Sequence, residues 1–590
     1  MSQKVHQLFA VVSICLLQTC DSPLVDLGKL DGKTSVQASE TALRATNFSG
    51  NKDTPHTFPQ TRASEVEESL KGRSDELEKL SPANSSVGWE SDVGTDLYLD
   101  RATAEQITKD DAVRHAIENN LDLEIASIEP AVTKQSIELA KAAFDFVLGA
   151  AISSNRSRIP QQQFNLEGGG ALNAAESTID TFSAEASLIK KLHDGGTITL
   201  STNLTRSNND ASGFNYTPNP AWQSIGAVGL SQPLLRDFGE TTTLAQIRLS
   251  KILHGQALEE MKESLNRVIT ETEHAYLNLA LQWKVLQVKQ WLLDQGESVV
   301  EILEIRMEYD TSEADYAQAV ATVEQRRADV IGQQAAVRSA SDSLKKIMNT
   351  QAHALDTETV IQPTGDIEAN RVSISLRQAL LTAMEKRPDL RRLAMSIDSQ
   401  SINVQVAKNA TLPQLDLQAQ MSLYGLGNVS GEGYQEVFDM DYINYMVGLT
   451  FQVPVGNRAA KARHESSQLQ RTKAMATYRR GVQEVLLGVK SDLRNIMTNA
   501  ELLQANKSYR IAQAENLRAL AVEEETMAGL TPTFLNLKLQ TQSGLAAARI
   551  LEITSIVNYN KAIASLYESM GTTLDMHQMA IQDGGVPGSP

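Results

Sequence analysis

Twice in this chain a strand-like run stops at a proline and a helix-like run of nearly seventy residues follows. The first passage is Gly229 to Gly239, GLSQPLLRDFG, after which no proline interrupts a helical pattern from about Thr241 to Glu308. The second is Tyr442 to Val453, then Pro454, then a proline-free run from near Asn457 to about Met527. At a rise of about 1.5 Å per residue such helices are roughly 100 Å long. Ordinary helices average about 11–12 residues, so these are far too long for a compact core. The chain must join a strand-built layer to a much longer helical one, and do so twice.

The doubling extends further. ITKDDAVRHAIENNLDL (Ile107 to Leu123) returns 267 positions later as ISLRQALLTAMEKRPDL (Ile374 to Leu390). Thr108 and Ser375 stand where N-caps belong, each followed by an apolar helical face. A repeat of this length has to be recognised before any fold is assigned.

Each repeat then turns to strands. Leu415, Leu417, Ala419, Met421 and Leu423 alternate with Gln414, Asp416, Gln418, Gln420 and Ser422. Ile443, Tyr445, Val447, Leu449, Phe451 and Val453 alternate with mostly polar or small neighbours. In the first repeat the alternating sets are Phe144 to Ile152, Phe182 to Leu188 and Ile198 to Leu204, with a further strand from Trp222 to Ser231. His193-Asp194-Gly195-Gly196 reads as a hairpin turn. A tilted membrane strand needs about 9–11 residues, and one apolar and one polar face suits a barrel wall. A soluble half-buried sheet gives the same alternation; the N-terminal segment and the aromatics Tyr424, Tyr442, Tyr445 and Phe451 favour the membrane. Phe146 to Pro233 spans 87 positions and Pro413 to Pro454 spans 41, so the first repeat carries 46 more residues, enough for one extra hairpin. Membrane barrels have at least about eight strands and no open edge. One chain offers four to six, so it must oligomerise.

The long runs carry coiled-coil seams at Leu258, Met261, Leu265, Val268, Thr272, Ala275 and Leu279, and at Leu486, Val489, Leu493, Ile496, Ala500 and Leu503. Each breaks once, at Glu308 to Ser312 and at Ala528 to Pro532, then returns as a helix. Pro233 to Asp310 is 77 positions and Pro454 to Gly529 is 75, so two helical hairpins of equal reach put both turns at one far end.

Residues 1–20 read as a secretory signal, with Lys4 and His6 before the apolar Leu8 to Leu17. Leu17 three places before Cys20 fits a lipoprotein signal with Cys20 lipidated; an ordinary signal peptide that contains Cys15 and Cys20 fits as well. Residues 21–105 are polar and aperiodic and read as a disordered extension. The net charge of −18 argues against nucleic acid as a partner. The histidines are scattered, no nucleophile motif or phosphate loop occurs, and no enzyme, cofactor or metal site is expected.

These stretches resemble the TolC-like outer membrane efflux proteins (outer membrane factors). The resemblance covers about Ile107 to Leu574 and rests on the two repeated helix starts, the QPLLRDFG junction at Gln232 to Gly239, VPVGNR at Val453 to Arg458 and the turn around Gly529. It implies a homotrimer in the bacterial outer membrane, each subunit giving four strands to a twelve-stranded barrel and its helices to a periplasmic coiled-coil barrel. It further implies a passive duct of a tripartite efflux or type I secretion system, docking a periplasmic adaptor that belongs to an inner-membrane pump. The docking tips would be Tyr309, Asp310, Thr311 and Ser312 with Gly529, Leu530, Thr531 and Pro532, and the strand-to-helix junctions Pro233 and Pro454. Two departures stand out. Asp310 replaces the family's tip glycine, and Phe534 to Leu537 holds no acid where the best-known members carry a ring of acids, leaving Glu313 and Asp315 near the first tip. The expected fold is therefore α+β: an oligomeric transmembrane β-barrel continued by a long antiparallel helical barrel, from repeats at 106–350 and 374–571, a linker at 351–373 and a loose tail at 572–590. A soluble periplasmic coiled-coil adaptor or scaffold is the alternative; it explains the helices but not strands placed twice at one end of them.

Overall fold

A computed structural model describes residues 105–161, 175–211, 217–309, 311–365, 369, 372–526, 531–577, 580–581 and 587–588. The signal segment, Cys20 and the polar extension lie outside them, as do Asp310, Gly529 and Leu530. In chain order the main elements are β1 (Glu105–Ile107), α1 (Lys109–Asn119), α2 (Leu121–Ala142), β2 (Phe146–Gln161), β3 (Ala175–Lys191), β4 (Thr197–Ala211) and β5 (Ala221–Pro233). Then come α3 (Glu240–Thr243), α4 (Ala245–Arg306), α5 (Glu313–Met348) and β6 (Ile361–Pro363). The second half has α6 (Leu376–Lys386), α7 (Pro388–Asn409), β7 (Gln414–Gly427), α8 (Ser430–Asp439), β8 (Tyr442–Gln452), α9 (Arg458–Thr526), α10 (Pro532–Met570) and α11 (Thr573–Met576).

The long helices form where the proline-free runs predict them. α4 is 62 residues and α9 is 69 residues, each unbroken. Neither closes a core by itself: α5 and α10 return alongside them, and α4 packs between the two hairpins against α10. On α4 the expected seam holds, with Met261, Leu265, Val268, Thr272 and Leu279 buried; a leucine as fully buried as Leu279 contributes about 1.5–3 kcal/mol. On α9 the expected seam holds at Val489, Leu493 and Ile496, which pack in one cluster, and departs at Leu486 and Ala500. Val485 and Val489 are buried while Leu486 points outward, and Ala500 is exposed. A straight helix turns every 3.6 residues and drifts against a strict 3-4 spacing, so the reading that began on Leu486 picked the wrong edge of the stripe.

Beside the sheet the helices form one layer, in the order α2, α4, α7, α9; farther away it becomes α5, α4, α10, α9. The linker is folded here: β6 pairs in parallel with β1. The Tyr276 hydroxyl of α4 donates to the carbonyls of Ile107 and Thr364, and Trp283 Nε1 donates to that of Ile361.

The two halves share one joint. After α1 the chain kinks at Asn120, whose Oδ1 accepts from Asp122 and Leu123 N–H and whose Nδ2 donates to the Ile347 carbonyl at the end of α5. At the matching kink Arg387 donates to the Ser569 carbonyl at the end of α10 and pairs with Asp389. Both return helices end on a left-handed residue, Asn349 (φ 46°) and Gly571 (φ 69°).

The strands make one antiparallel sheet in the order β2-β3-β4-β5-β7-β8. The resemblance implies four strands from each chain; the sheet has six. The extra hairpin sits within the sheet, because inserting two strands preserves both the up-down polarity and the side-chain alternation. Phe144, expected in the first alternating set, lies before β2 and is buried against His193.

Candidate channel wall, junctions and docking tips

Directly paired residues point to the same side of a sheet, so the ladder registers assign the faces. One face carries Leu148 and Ile152 of β2, Leu188 of β3, Leu200 of β4, Val228 of β5, Met421 of β7 and Tyr445 of β8, all joined in register. Much of it is bare: Leu148 is 77% exposed and Val447 is 75% exposed. The other face carries Ser153, Ser183, Asn203, Gln223, Gln418 and Asn444. Six strands thus agree on one apolar and one polar side. That is the pattern of a wall between hydrocarbon and water, and a soluble sheet would cover the apolar side. Near the end remote from the long helices the apolar face gives way to the Arg156–Asp180 pair, bonded through Nε and Nη2, and to Arg206 over the Trp222 ring.

At that remote end α8 lies on the apolar face. From sequence alone this glycine-rich stretch between β7 and β8 reads as a loop, since its glycines mask the helix. Gly433 serves close approach: a Cβ on it would fall 2.8 Å from Ser224 Oγ, and one on the facing Gly425 of β7 would fall 1.9 Å from the Gly433 carbonyl oxygen. The Tyr434 hydroxyl lies 3.1 Å from Thr202 Oγ1, and Val437 is buried against Gly226.

The junctions gather on the α7–β7 corner. Pro233 ends β5, and the Leu234 and Arg236 N–H groups bond the carbonyls of Leu415 and Pro413. Asp237, with φ 64°, donates its N–H to Asn409 Oδ1. The Pro454 turn is closed by Asn457 N–H to the Pro454 carbonyl, and Asn457 Nδ2 reaches the Thr411 carbonyl. Both prolines stand where the ladder must stop, because proline has no N–H to continue it. The His193 to Gly196 turn joins the same corner: Gly195 has φ 100°, and the Asp194 carbonyl accepts from Gly239 N–H.

The two tips come together at the far end. Val299, Leu303, Ala319, Leu535 and Leu539 form one cluster just beneath them, flanked by Tyr316 and Phe534. They share a design. Ser312 caps α5 by accepting from Asp315 N–H, and Thr531 caps α10 by accepting from Phe534 N–H, with Pro532 in the first turn. Asp315 thus serves the cap, and Tyr309 is 81% exposed. Higher up, Arg326 ties the two hairpins: its guanidinium donates to the Leu292 and Leu539 carbonyls, Gln542 Oε1 and Ser543 Oγ. With no carboxylate beside it, burial pushes it down to about 10. Nothing local marks Arg326 in advance, because a lone arginine on a helix looks like surface.

The family model described as "Outer membrane efflux protein" matches residues 379–572. That stretch, about a third of the chain, resembles the outer membrane efflux proteins. Among curated proteins it resembles the pyoverdine export outer membrane protein OpmQ of Pseudomonas putida, 23% identical over 299 residues. That match takes in 50% of this chain and 59% of the relative's length. The fold is that of the Campylobacter jejuni CmeC outer membrane channel, with a TM-score of 0.56 at 13% identity over 79% of this chain and 86% of CmeC. The Neisseria gonorrhoeae MtrE channel in its open state gives the same TM-score at 15% identity over 79% of this chain and 89% of MtrE. The efflux protein family is one of channels rather than enzymes. No described helix is long and apolar enough to cross a membrane.

Proposed function

We propose that this protein is the outer membrane duct of a tripartite efflux or type I secretion system. It works as a homotrimer and passively exports what an inner-membrane pump and a periplasmic adaptor deliver. The observation that carries this reading is the continuity of one chain from a six-stranded sheet with a bare apolar face into two hairpins of helices 62 and 69 residues long. A coiled-coil scaffold would need the hairpins but would leave that face without an occupant. The pyoverdine export named for the P. putida relative fits a duct of this kind.

The paired tips at Tyr309, Asp310, Thr311 and Ser312 and at Gly529, Leu530, Thr531 and Pro532 are the proposed docking surface for the adaptor. Among the described ones Tyr309 is 81% exposed, Ser312 and Thr531 cap their helices, and Thr311 N–H closes the turn on the Arg306 carbonyl. The test is export of a fluorescent pump substrate in the native host carrying Tyr309→Arg with Thr311→Arg. Loss of export at an unchanged level of outer membrane protein is expected. Unchanged export would place docking elsewhere.

A further inference from the structure

We propose that all six strands stand in the barrel wall, so that three copies close an eighteen-stranded barrel as wide as the helical tube beneath it. The inference rests on the duct reading above and adds the width of its exit. The competing arrangement keeps β4, β5, β7 and β8 as a four-strand share of a twelve-stranded barrel and leaves the β2–β3 hairpin outside.

The sheet argues against a hanging hairpin. β3 is paired with β4 from Ser177 through Lys191 and with β2 from Ala175 through Lys190, so no seam separates an inner from an outer part. The alternation also runs through unbroken. Ser183 and Glu185 of β3 lie on the polar side with Asn203 of β4, and Leu188 lies on the apolar side with Leu200. A hairpin outside the ring would carry that polar side into lipid.

The two edges then match. β2 and β8 each have one neighbour in the chain, and an open edge in a bilayer is not tolerated. β2 runs away from the helices and β8 runs toward them, so β8 of one copy meets β2 of the next antiparallel, as a closed ring of six-strand shares requires. The helices that lead into and out of these edges are also the outer members of the helical layer beside the sheet: α2 precedes β2, and α9 follows β8. α2 presents Ile125, Ile128, Val132 and Leu139 to the outside, an apolar stripe for the neighbouring copy to cover.

Width fits the six-strand wall. Six strands about 4.8 Å apart and tilted about 40° take about 38 Å of a ring's circumference. Four strands would take only about 25 Å by the same spacing. Four helices set about 10 Å apart take about 40 Å. The six-strand share therefore fits over the four-helix share edge to edge whatever the number of copies. With three copies the wall is about 36 Å across between opposite backbones, in the class of about 16–18 strands that leaves an aqueous channel. The exit would be no narrower than the tube, and it is lined chiefly by hydroxyl and amide groups.

The test uses the full-length protein in detergent and a short bismaleimide, with cysteines on the polar side. Ser153→Cys on β2 with Asn444→Cys on β8 should link neighbouring copies into a covalent ladder that ends at the trimer. Asn203→Cys on β4 with Asn444→Cys should not link, because β5 and β7 stand between them. The parent chain, whose two cysteines are Cys15 and Cys20, is the control. The reverse outcome, linking through β4, would overturn the six-strand wall in favour of the four-strand one. An oligomer that links through neither pair would overturn it too. A protein that stays monomeric and needs no detergent would instead sink the duct reading on which the proposal rests.

Discussion

The two halves of the chain solve the same joint with different chemistry. Where α1 meets α2, a neutral amide, Asn120, caps the second helix and holds the end of α5 through the Ile347 carbonyl. Where α6 meets α7, a guanidinium, Arg387, holds the end of α10 through the Ser569 carbonyl and is itself held by Asp389. What both keep is a donor for a carbonyl that the end of a helix leaves without a partner. The identity of the donor was free to change, and so the joint was invisible in the aligned repeats, where asparagine faces arginine. The first joint has no charge to lose; the second depends on one.

That difference can be broken at several places. Arg387→Ala should have the largest effect, about 2–3 kcal/mol, because it strips a donor from Ser569 and leaves the half-buried Asp389 without its partner. It should be seen as a lower midpoint in thermal unfolding of the detergent-extracted protein, with exchange of backbone amides quickened at the end of α10. Gly571→Ala should cost about 1–3 kcal/mol, since φ is +69° and the new Cβ would sit 3.1 Å from the backbone of Arg387. The matching Asn349 already tolerates the left-handed region, so Asn349→Gly should lose only its bond to the Asn119 carbonyl. Asn120→Ala should cost about 1 kcal/mol, with faster exchange confined to the start of α2 and the end of α5.

The smallest effect is in pH. Burial pushes the Asp389 carboxyl up, but Arg387 and the Leu390 N–H hold it below the ordinary carboxylate range. Its contribution is present above the unfolded value of about 3.9 and is lost as pH falls through the lower folded value. Burial raises Glu568 beside it above its ordinary value. That group works the other way: lowering the pH through its raised folded value relieves a buried charge. Exchange at the end of α10 should therefore slow slightly on mild acidification, then quicken below about pH 4. The end of α5 lacks the ion pair and should not show the late rise. Equal behaviour at the two ends would break the comparison.

A second contrast concerns the strands. The halves carry helical hairpins of nearly equal reach but four strands against two. Helix length is fixed by the need for both tips to meet at Leu303 and Leu535. Strand number is free to change by pairs, because a hairpin returns the chain to the edge it left. This also explains what could be read in advance. The alternation at Leu415 to Leu423, the stops at Pro233 and Pro454 and the proline-free helices are local patterns, and they gave the elements, the repeat and the fold class. The seam on α9 was misplaced by one residue at Leu486 because the packed partner decides which edge of a stripe is buried. α8 was hidden by Gly431 and Gly433; Gly433 is needed for contact with β5 and β7, while a Cβ on Gly431 would meet nothing within 4 Å. Arg326 was hidden because burial between α4, α5 and α10 is a tertiary fact. The tips could be located from the broken helical pattern, yet their neighbourhood depended on α4 packing beside α10.

Electron cryo-microscopy of the particle extracted in mild detergent tests the central claim most directly. The account predicts a hollow three-fold ring inside the detergent belt, six strands from each copy, opening without a step into a tube of helices roughly 100 Å long. A closed ring of four strands from each copy with a hairpin outside it would contradict the wall, and a solid rod without a detergent belt would contradict the duct itself.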